Sequence, residues 1–484
     1  MKKVRKYLLI TLLLLTGLFM VGLLFLFFVP TSSIFGITFI SYNDRLISKD
    51  YNISNVNKIV VDSRSYDIEL VAVNNTNCSL RVESHSLGYV LQKNSKVKLE
   101  EEFSNGVLTF TLTEPYGAAF KNNSLITLYI PKSKAVNVNL KNKNATTKID
   151  NADLKIKNLS YTAEDGVVNL KKATILGKLN LNLNKTDFRV SPDVNLNGCN
   201  VDLQVTTGSF DASKSTIGEI NILSNERGVI LLNACSAINQ SKQTTGGRIQ
   251  ANKVNTISFS GSDTNLKINE VSTRASIKLT TSGKVSIEKL SGIADIVTNS
   301  GSIKIKNCTN NLTSLTILSK SGDVSVNNAY NKVFVETTSG NINVNYAENA
   351  GYANSSNQNI RYLKALTKTG KIVAEGVNKT DIEIKDDGTA EITYEKFNSN
   401  QNLISNINSK NGNVYIKVKK ASAFVLNSKT HSGNSRINLT QTEKYNGWTD
   451  KEITNQTINC NSNSNIINIQ TDSGNILMHD DNVN

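Results

Sequence analysis

The sequence predicts an all-β protein: a right-handed parallel β-helix (a β-solenoid) preceded by one N-terminal transmembrane helix. Three observations carry this prediction. First, residues 276–346 read SIKLTTSGKVSIEKL, IADIVTNSGSIKIKN, LTILSKSGDVSVNN and VFVETTSGNINVNY in succession, with Gly283, Gly301, Gly322 and Gly340 spaced 18, 21 and 18 apart. Alternation of apolar and polar residues is a strand signal, the Ser-Gly step is a turn signal, and a fixed period near 20 residues marks stacked repeats. Second, the residues two and four places after the turn glycines are apolar: Val168 and Leu170 after Gly166, Phe210 and Ala212 after Gly208, Ile303 and Ile305 after Gly301, Ile476 and Met478 after Gly474. Ser435 breaks the rule once, beside Ile437. Residues two apart in a strand share a face, so these pairs point to one interior. Third, residues 7–29 are apolar and carry no charge, directly behind Lys2, Lys3, Arg5 and Lys6.

Taken in order, residues 1–30 read as a cytoplasmic tip and an uncleaved signal anchor, with a cleaved signal peptide as the competing reading. The run is about the length that spans a bilayer, and the basic cluster before it places the N-terminus in the cytoplasm and the rest of the chain outside. Residues 31–55 read as a stalk. From residue 56 to 484 the text is continuous strand pattern, divided into opening strands over 56–145 and glycine-turn repeats over 146–484. Parallel strands joined by crossovers favour a right-handed path. Gly412 belongs to the same set of structural turns as Gly283, Gly301, Gly322 and Gly340. Insertions interrupt the period at 347–365, 395–406 and 441–465, and such excursions often lie on the binding side of a solenoid.

Composition agrees with a thin aliphatic core. Only 4 prolines and 6% aromatics are present, and proline fits poorly inside sheet ladders. The net charge is +14, from 54 basic and 40 acidic residues. A solvated lysine-rich surface accounts for it, and the sharper reading is attraction to anionic envelope polymers or lipid headgroups. No cluster of basic and aromatic residues supports nucleic-acid binding. The five cysteines, Cys78, Cys199, Cys235, Cys308 and Cys460, include no CxxC pair. Zinc and thioredoxin-like chemistry are therefore not indicated, and buried small hydrophobe is the expected role for most of them.

Two features together resemble a known group, the bacterial putative-adhesin β-strand-repeat family, a domain of unknown function in envelope proteins. One is the opening pattern KIVVDSRSYDIELVAV followed by LITLYIPKSKAVNVNL; the other is the run TSGKVSI, NSGSIKI, KSGDVSV and TSGNINV. The resemblance covers residue 56 to the C-terminus. It implies a parallel β-solenoid and a cell-envelope location, and it brings no catalytic residues to carry over.

Chemistry-bearing constellations are sparse. His85, His431 and His479 are far apart and form no ligand spacing. Asp323 and Asp472 sit at turns, where a carboxylate serves local hydrogen bonding. Gly246-Gly247 continues into Arg248, so the calcium-binding nonapeptide is absent. Tyr445 and Trp448, in EKYNGWTD, are the candidate partner or glycan contact, because aromatics on a loop can stack on sugars or anchor a protein; the alternative is that Trp448 packs its loop back onto the solenoid. Tyr352 and Tyr362 raise the same question. The function expected is a membrane-anchored, outward-facing envelope solenoid with a structural or adhesion role, without catalysis or cofactor. Its expected partners are the bilayer, through the N-terminal helix, and anionic polymers, glycans or a surface protein. Two alternatives stand beside it: a polysaccharide lyase or hydrolase on a β-helix, and a scaffold for another envelope membrane protein.

Overall fold

The computed structural model describes residues 2–28, 31–34, 37–47, 50–90, 98–113, 117–122, 124–240, 246–348, 352–353, 359–397, 402–420, 422–440, 448–459 and 465–481. The fold is an all-β, right-handed β-solenoid, as the turn period predicted. It divides into two compact units, Met1–Ser215 and Thr216–Asn484.

The predicted membrane-spanning helix is corrected. Residues Lys2–Phe28 are helical, but the side chains described run only from 7 to 21, all of them exposed. Among the described residues no helix is long and apolar enough to cross a membrane. The single-pass topology, the cytoplasmic N-terminus, the extracytoplasmic domain and the bilayer as a partner all rested on that helix and fall with it. Residues 31–55, read as a stalk, contain the strands Thr31–Ile34 and Ile37–Ile47, which pair with each other antiparallel. The second of them also pairs antiparallel with Asn77–Val90.

In the first unit the rung formed by Lys58–Ser63 and Asp67–Val73 is the starting layer. Val107–Thr113 and Leu125–Pro131 pair parallel to it on one side. The two halves of Val136–Asp150 pair parallel to it on the other. The rung at 107–131 is covered in turn by antiparallel strands, Lys98–Ser104 on one segment and Asn77–Val90 on the other. Beyond Val136–Asp150 the layers follow chain order through Lys155–Lys171 and Lys178–Val190. Inside, Tyr161, Phe188 and Phe210 stack with ring centroids 6.1 and 5.9 Å apart. The Tyr161 hydroxyl is satisfied by the Thr147 hydroxyl at 3.0 Å, so a polar tip sits in the core without an unmet bond.

From residue 285 the second unit stacks two parallel columns of strands joined at the glycine turns. One sheet runs through Ile293–Thr298, Ser314–Ser319, Lys332–Thr337, Tyr362–Thr367, Lys379–Ile384 and Ile404–Ser409. The other runs through Val285–Leu290, Ile303–Cys308, Val324–Ala329, Ile342–Tyr346, Ile372–Val377, Ala390–Tyr394 and Val414–Val418. The residues two and four after each glycine are buried throughout, for example Ile303, Ile305, Ile342 and Val344 at 0–1% exposure. Each such side chain contributes roughly 1.5–3 kcal/mol of burial.

The last rungs depart from chain order. Asn465–Thr471 pairs parallel with Ile404–Ser409 on one edge and with Phe424–Thr430 on the other. Ile476–Asp480 likewise lies between Val414–Val418 and Ser435–Asn438. The rung latest in sequence is therefore an inner layer, and the rung at 424–438 lies outside it. Antiparallel strands cover that outer rung: Glu452–Ile458 pairs with Phe424–Thr430, and Trp448–Thr449 with Ser435–Asn438. The insertion at 441–465 thus closes exposed strand edges, which otherwise template association.

Candidate functional site

The turns of the second unit are built from three positions. The glycine comes first. A Cβ on Gly301, Gly322, Gly340 or Gly412 would fall inside the carbonyl oxygen of the glycine one rung below, and on Gly283 inside that of Thr264. None of these five has the left-handed backbone that makes glycine necessary at many turns. The requirement is close approach between stacked backbones. The second position is a buried hydroxyl three residues earlier. Ser319 Oγ donates to the Gly322 carbonyl at 3.0 Å and accepts the Gly322 N–H at 2.9 Å. Thr337 donates to the Gly340 carbonyl at 2.7 Å, and Ser409 to that of Gly412 at 2.9 Å. Sequence reasoning missed this [ST]-x-x-G signal, although it is written in Thr298, Ser319, Thr337, Thr367, Ser409, Thr430 and Thr471. The third position follows the glycine and links neighbouring rungs. Asp323 accepts the Asn341 N–H at 2.8 Å, and the Asn341 side-chain oxygen accepts the Lys371 N–H at 3.0 Å.

One corner differs. Asn225, fully buried, takes the hydroxyl's place and accepts the Gly228 N–H at 2.8 Å. On the next rung Gly247 takes the corner-glycine place above Gly228, and Gly246 stands before it, where other corners carry a side chain such as Ser300 or Ser321. A Cβ on Gly247 would meet the Gly228 carbonyl and the Asn225 amide, each at 2.6 Å, and its φ of +99° is in the left-handed region. A Cβ on Gly246 would meet the Glu226 carbonyl at 2.6 Å. Both glycines are therefore fixed by geometry, and among the described residues no side chain stands at this rung's corner ahead of Arg248. The result is a groove of about 590 Å³ lined by Glu226, Arg227, Gly246, Gly247, Arg248 and Asp263.

The four charged side chains at this groove are exposed. Arg248 donates to the Gln250 side-chain oxygen at 2.7 Å. Asp263 is held by the next rung: one of its oxygens accepts the Ser282 hydroxyl at 2.6 Å, the Thr281 hydroxyl, and the Ser282 N–H at 3.2 Å. These bonds, the Ser282 hydroxyl foremost, hold its carboxyl below the ordinary range, so it stays ionised at neutral pH. Two guanidinium forks beside two carboxylates suit a ligand that offers both anionic groups and hydroxyls.

The other sequence candidates fall elsewhere. Tyr445 lies outside the described residues. Trp448 belongs to the strand covering the outer rung, with its backbone opposite Ile437, and its side chain lies outside the described residues. Tyr352 lies in a two-residue strand of the insertion at 347–365, also without a described side chain. Tyr362 donates its hydroxyl to Asp381, and the Lys379 ammonium sits 4.9 Å above its ring. His431 is exposed in its turn, and His479 contacts the Asp480 carbonyl at 3.0 Å. The side chain of His85 lies outside the described residues. The neighbour of Asp323 on the following rung is an asparagine rather than a second carboxylate. Cys78, Cys199, Cys235 and Cys308 are buried as free thiols; burial pushes Cys199 up to about 11 and the other three to about 12. Among the described residues no group of His, Cys, Asp and Glu could hold a metal ion.

Parallel strands closed by stacked glycine corners define a β-solenoid protein of the strand-repeat class. The family model described as "Toastrack DUF4097" matches residues 56–368, and the chain belongs to that family. It is loosely similar, at low identity, to bacterial proteins described as adhesins. One from Clostridium sporogenes, called a "putative cell adhesion protein", is 8% identical over 91% of this chain and 100% of its own, with a TM-score of 0.17. A "putative adhesin" from Bacteroides fragilis is 11% identical over 72% of this chain and 97% of its own, with a TM-score of 0.16. Another from Parabacteroides distasonis is 15% identical over 73% and 96%, with a TM-score of 0.17. At these values the three likenesses carry no argument about function. No curated protein matches the chain.

Proposed function

We propose that this chain is a non-catalytic structural or adhesion-type solenoid whose corner groove binds an anionic, hydroxyl-bearing polymer such as an acidic glycan. The observation that supports this most is the side-chain-free notch at Gly246-Gly247, flanked by Arg227 and Arg248. Neither arginine is committed to an ion pair among the described residues, so both forks can meet carboxylate or phosphate oxygens. Glu226 can accept sugar hydroxyls beside them. A polymer is favoured over a small metabolite because the groove is open, runs across successive rungs, and is bounded by exposed side chains.

A carbohydrate-active enzyme is the second reading, since arginines and carboxylates share a groove. The electrostatics argue against it. A glycosidase needs one carboxylic acid kept protonated and a second carboxylate opposite it. Asp263, held ionised by three donors, suits only the carboxylate role, and the other carboxyl at the groove, Glu226, is exposed to water rather than set in an apolar pocket. The test is binding of the purified chain to immobilised acidic and neutral polysaccharides. We expect salt-sensitive retention on the acidic polymer and a drop of about tenfold or more when Arg227 and Arg248 are both changed to Ala. Equal retention of wild type and double variant would remove the groove from the proposal. Release of new reducing ends or unsaturated sugars would replace binding by catalysis.

A further inference from the structure

We infer that residues 465–480 form an exchangeable rung, which a second copy of this chain can donate into the same slot. The geometry of the slot carries the argument. Its two walls, the rungs at 404–418 and 424–438, both precede residues 465–480 in sequence, yet these residues lie between them. No strand pairing joins the two walls directly among the described residues. The outer rung reaches the preceding layers by pairing through the inserted one. During synthesis both walls exist before their filling does, and the exposed edges can accept any matching parallel rung.

Matching is strict, which selects the occupant. Each positional column runs unbroken through the slot. On the sheet face, the Asn406 side-chain oxygen accepts from Asn468 at 2.9 Å, and that of Asn468 accepts from Asn427 at 2.8 Å. At the corner, Asn413 accepts the Asn475 N–H at 2.9 Å, and Asn475 accepts the Asn434 N–H at 2.9 Å. Inside, Thr430 and Thr471 both donate to the Gly474 carbonyl, at 3.0 and 2.6 Å. A Cβ on Gly474 would fall inside the Gly412 carbonyl oxygen, so a strand without glycine at that place is refused. The segment that meets all these demands at once is another copy's 465–480. A swapped rung makes the same contacts as an unswapped one; only the chain connection differs.

The test uses the full chain with Cys460→Ser as background. Lys429 and Gln470 are register partners and both exposed, so cysteines there lie within disulfide reach across parallel neighbours. A chain carrying both Lys429→Cys and Gln470→Cys is expected to oxidise within itself and remain monomeric on a non-reducing gel. Chains carrying one substitution each, denatured together, refolded together and oxidised, are expected to give a band of twice the mass. Its cross-linked peptides should join 429 to 470, with a yield rising with chain concentration during refolding. A double variant that closes its own disulfide while the refolded mixture yields no 429–470 cross-link overturns exchange. A double variant that forms no internal disulfide overturns the slot itself. Glycan retention does not enter either readout, so this proposal and the groove stand or fall separately.

Discussion

The two units both place a rung out of chain order, and they do so in different ways. In the first unit, the rung at 58–73 is made first; the rung at 107–131 then adds to one side and Val136–Asp150 to the other. Growth proceeds outward from an existing layer. In the second unit, the rung at 465–480 enters between layers that precede it. Read backwards, the second arrangement would resemble the first. Synthesis runs from the N-terminus, so only the second requires a slot that stands open. The same final contacts can thus be simple or demanding to reach, depending on which end of the segment comes first.

The largest effects are expected at the corner glycines. Gly474→Ala should cost roughly 3 kcal/mol or more, because the new Cβ meets a backbone carbonyl that cannot rotate away. Gly322→Ala, in a rung laid in chain order, should cost as much at equilibrium, since its Cβ meets the Gly301 carbonyl. Urea unfolding compares the two stabilities. Stopped-flow refolding should separate them, with the slower closing phase confined to Gly474→Ala; equal refolding rates would show that insertion is not a distinct step.

A smaller effect is expected at the buried hydroxyls. Thr471→Val leaves the Gly474 carbonyl with one donor fewer and should cost about 1–2 kcal/mol. Thr337→Val should cost about the same, because Thr337 plays the same part for Gly340. A loss at only one of the two, by denaturant midpoint, would show that the corners are not equivalent. Smaller again is the asparagine ladder on the sheet face. Asn468→Ala removes amide links to Asn406 and Asn427 and should cost about 1 kcal/mol, whereas Asn269→Ala, which removes one exposed link to Asn252, should cost a few tenths, about 0.5 kcal/mol.

The least specific prediction concerns pH and covers both units. Cys78 and Cys199 in the first, Cys235 and Cys308 in the second, have thiols raised from 9.0 to about 11 or 12 by burial. The unfolded chain would release these protons near 9, so their contribution to stability is present below pH 9 and is lost as pH rises toward 11 to 12. The four should resist a thiol reagent at pH 8 in the folded protein and all react once it is unfolded. Fast labelling of any one under native conditions would show local opening around it.

Much of this architecture was legible from residue spacing. The inward faces follow from positions two and four after each glycine, because strand alternation is a local property. The groove was not legible. Gly246-Gly247 read only as a failed calcium repeat, since nothing local says that the rungs on either side would carry Arg227 and Asp263 to the same corner. The apolar run at 7–29 pointed to a membrane span that the described helix does not support. Trp448 lies in a two-residue strand that covers the outer rung, and its side chain lies outside the described residues.

By itself the sequence determined the repeat: which residues face inward and where each turn falls. These depend on neighbours within a few residues. Tertiary structure alone decided the stacking order at 424–480 and the notch at residues 246–247. The physical reason is that every rung presents a similar strand edge. Local pattern says that a rung will pair, and only the assembled columns of Gly412, Gly474 and Gly433 say with which.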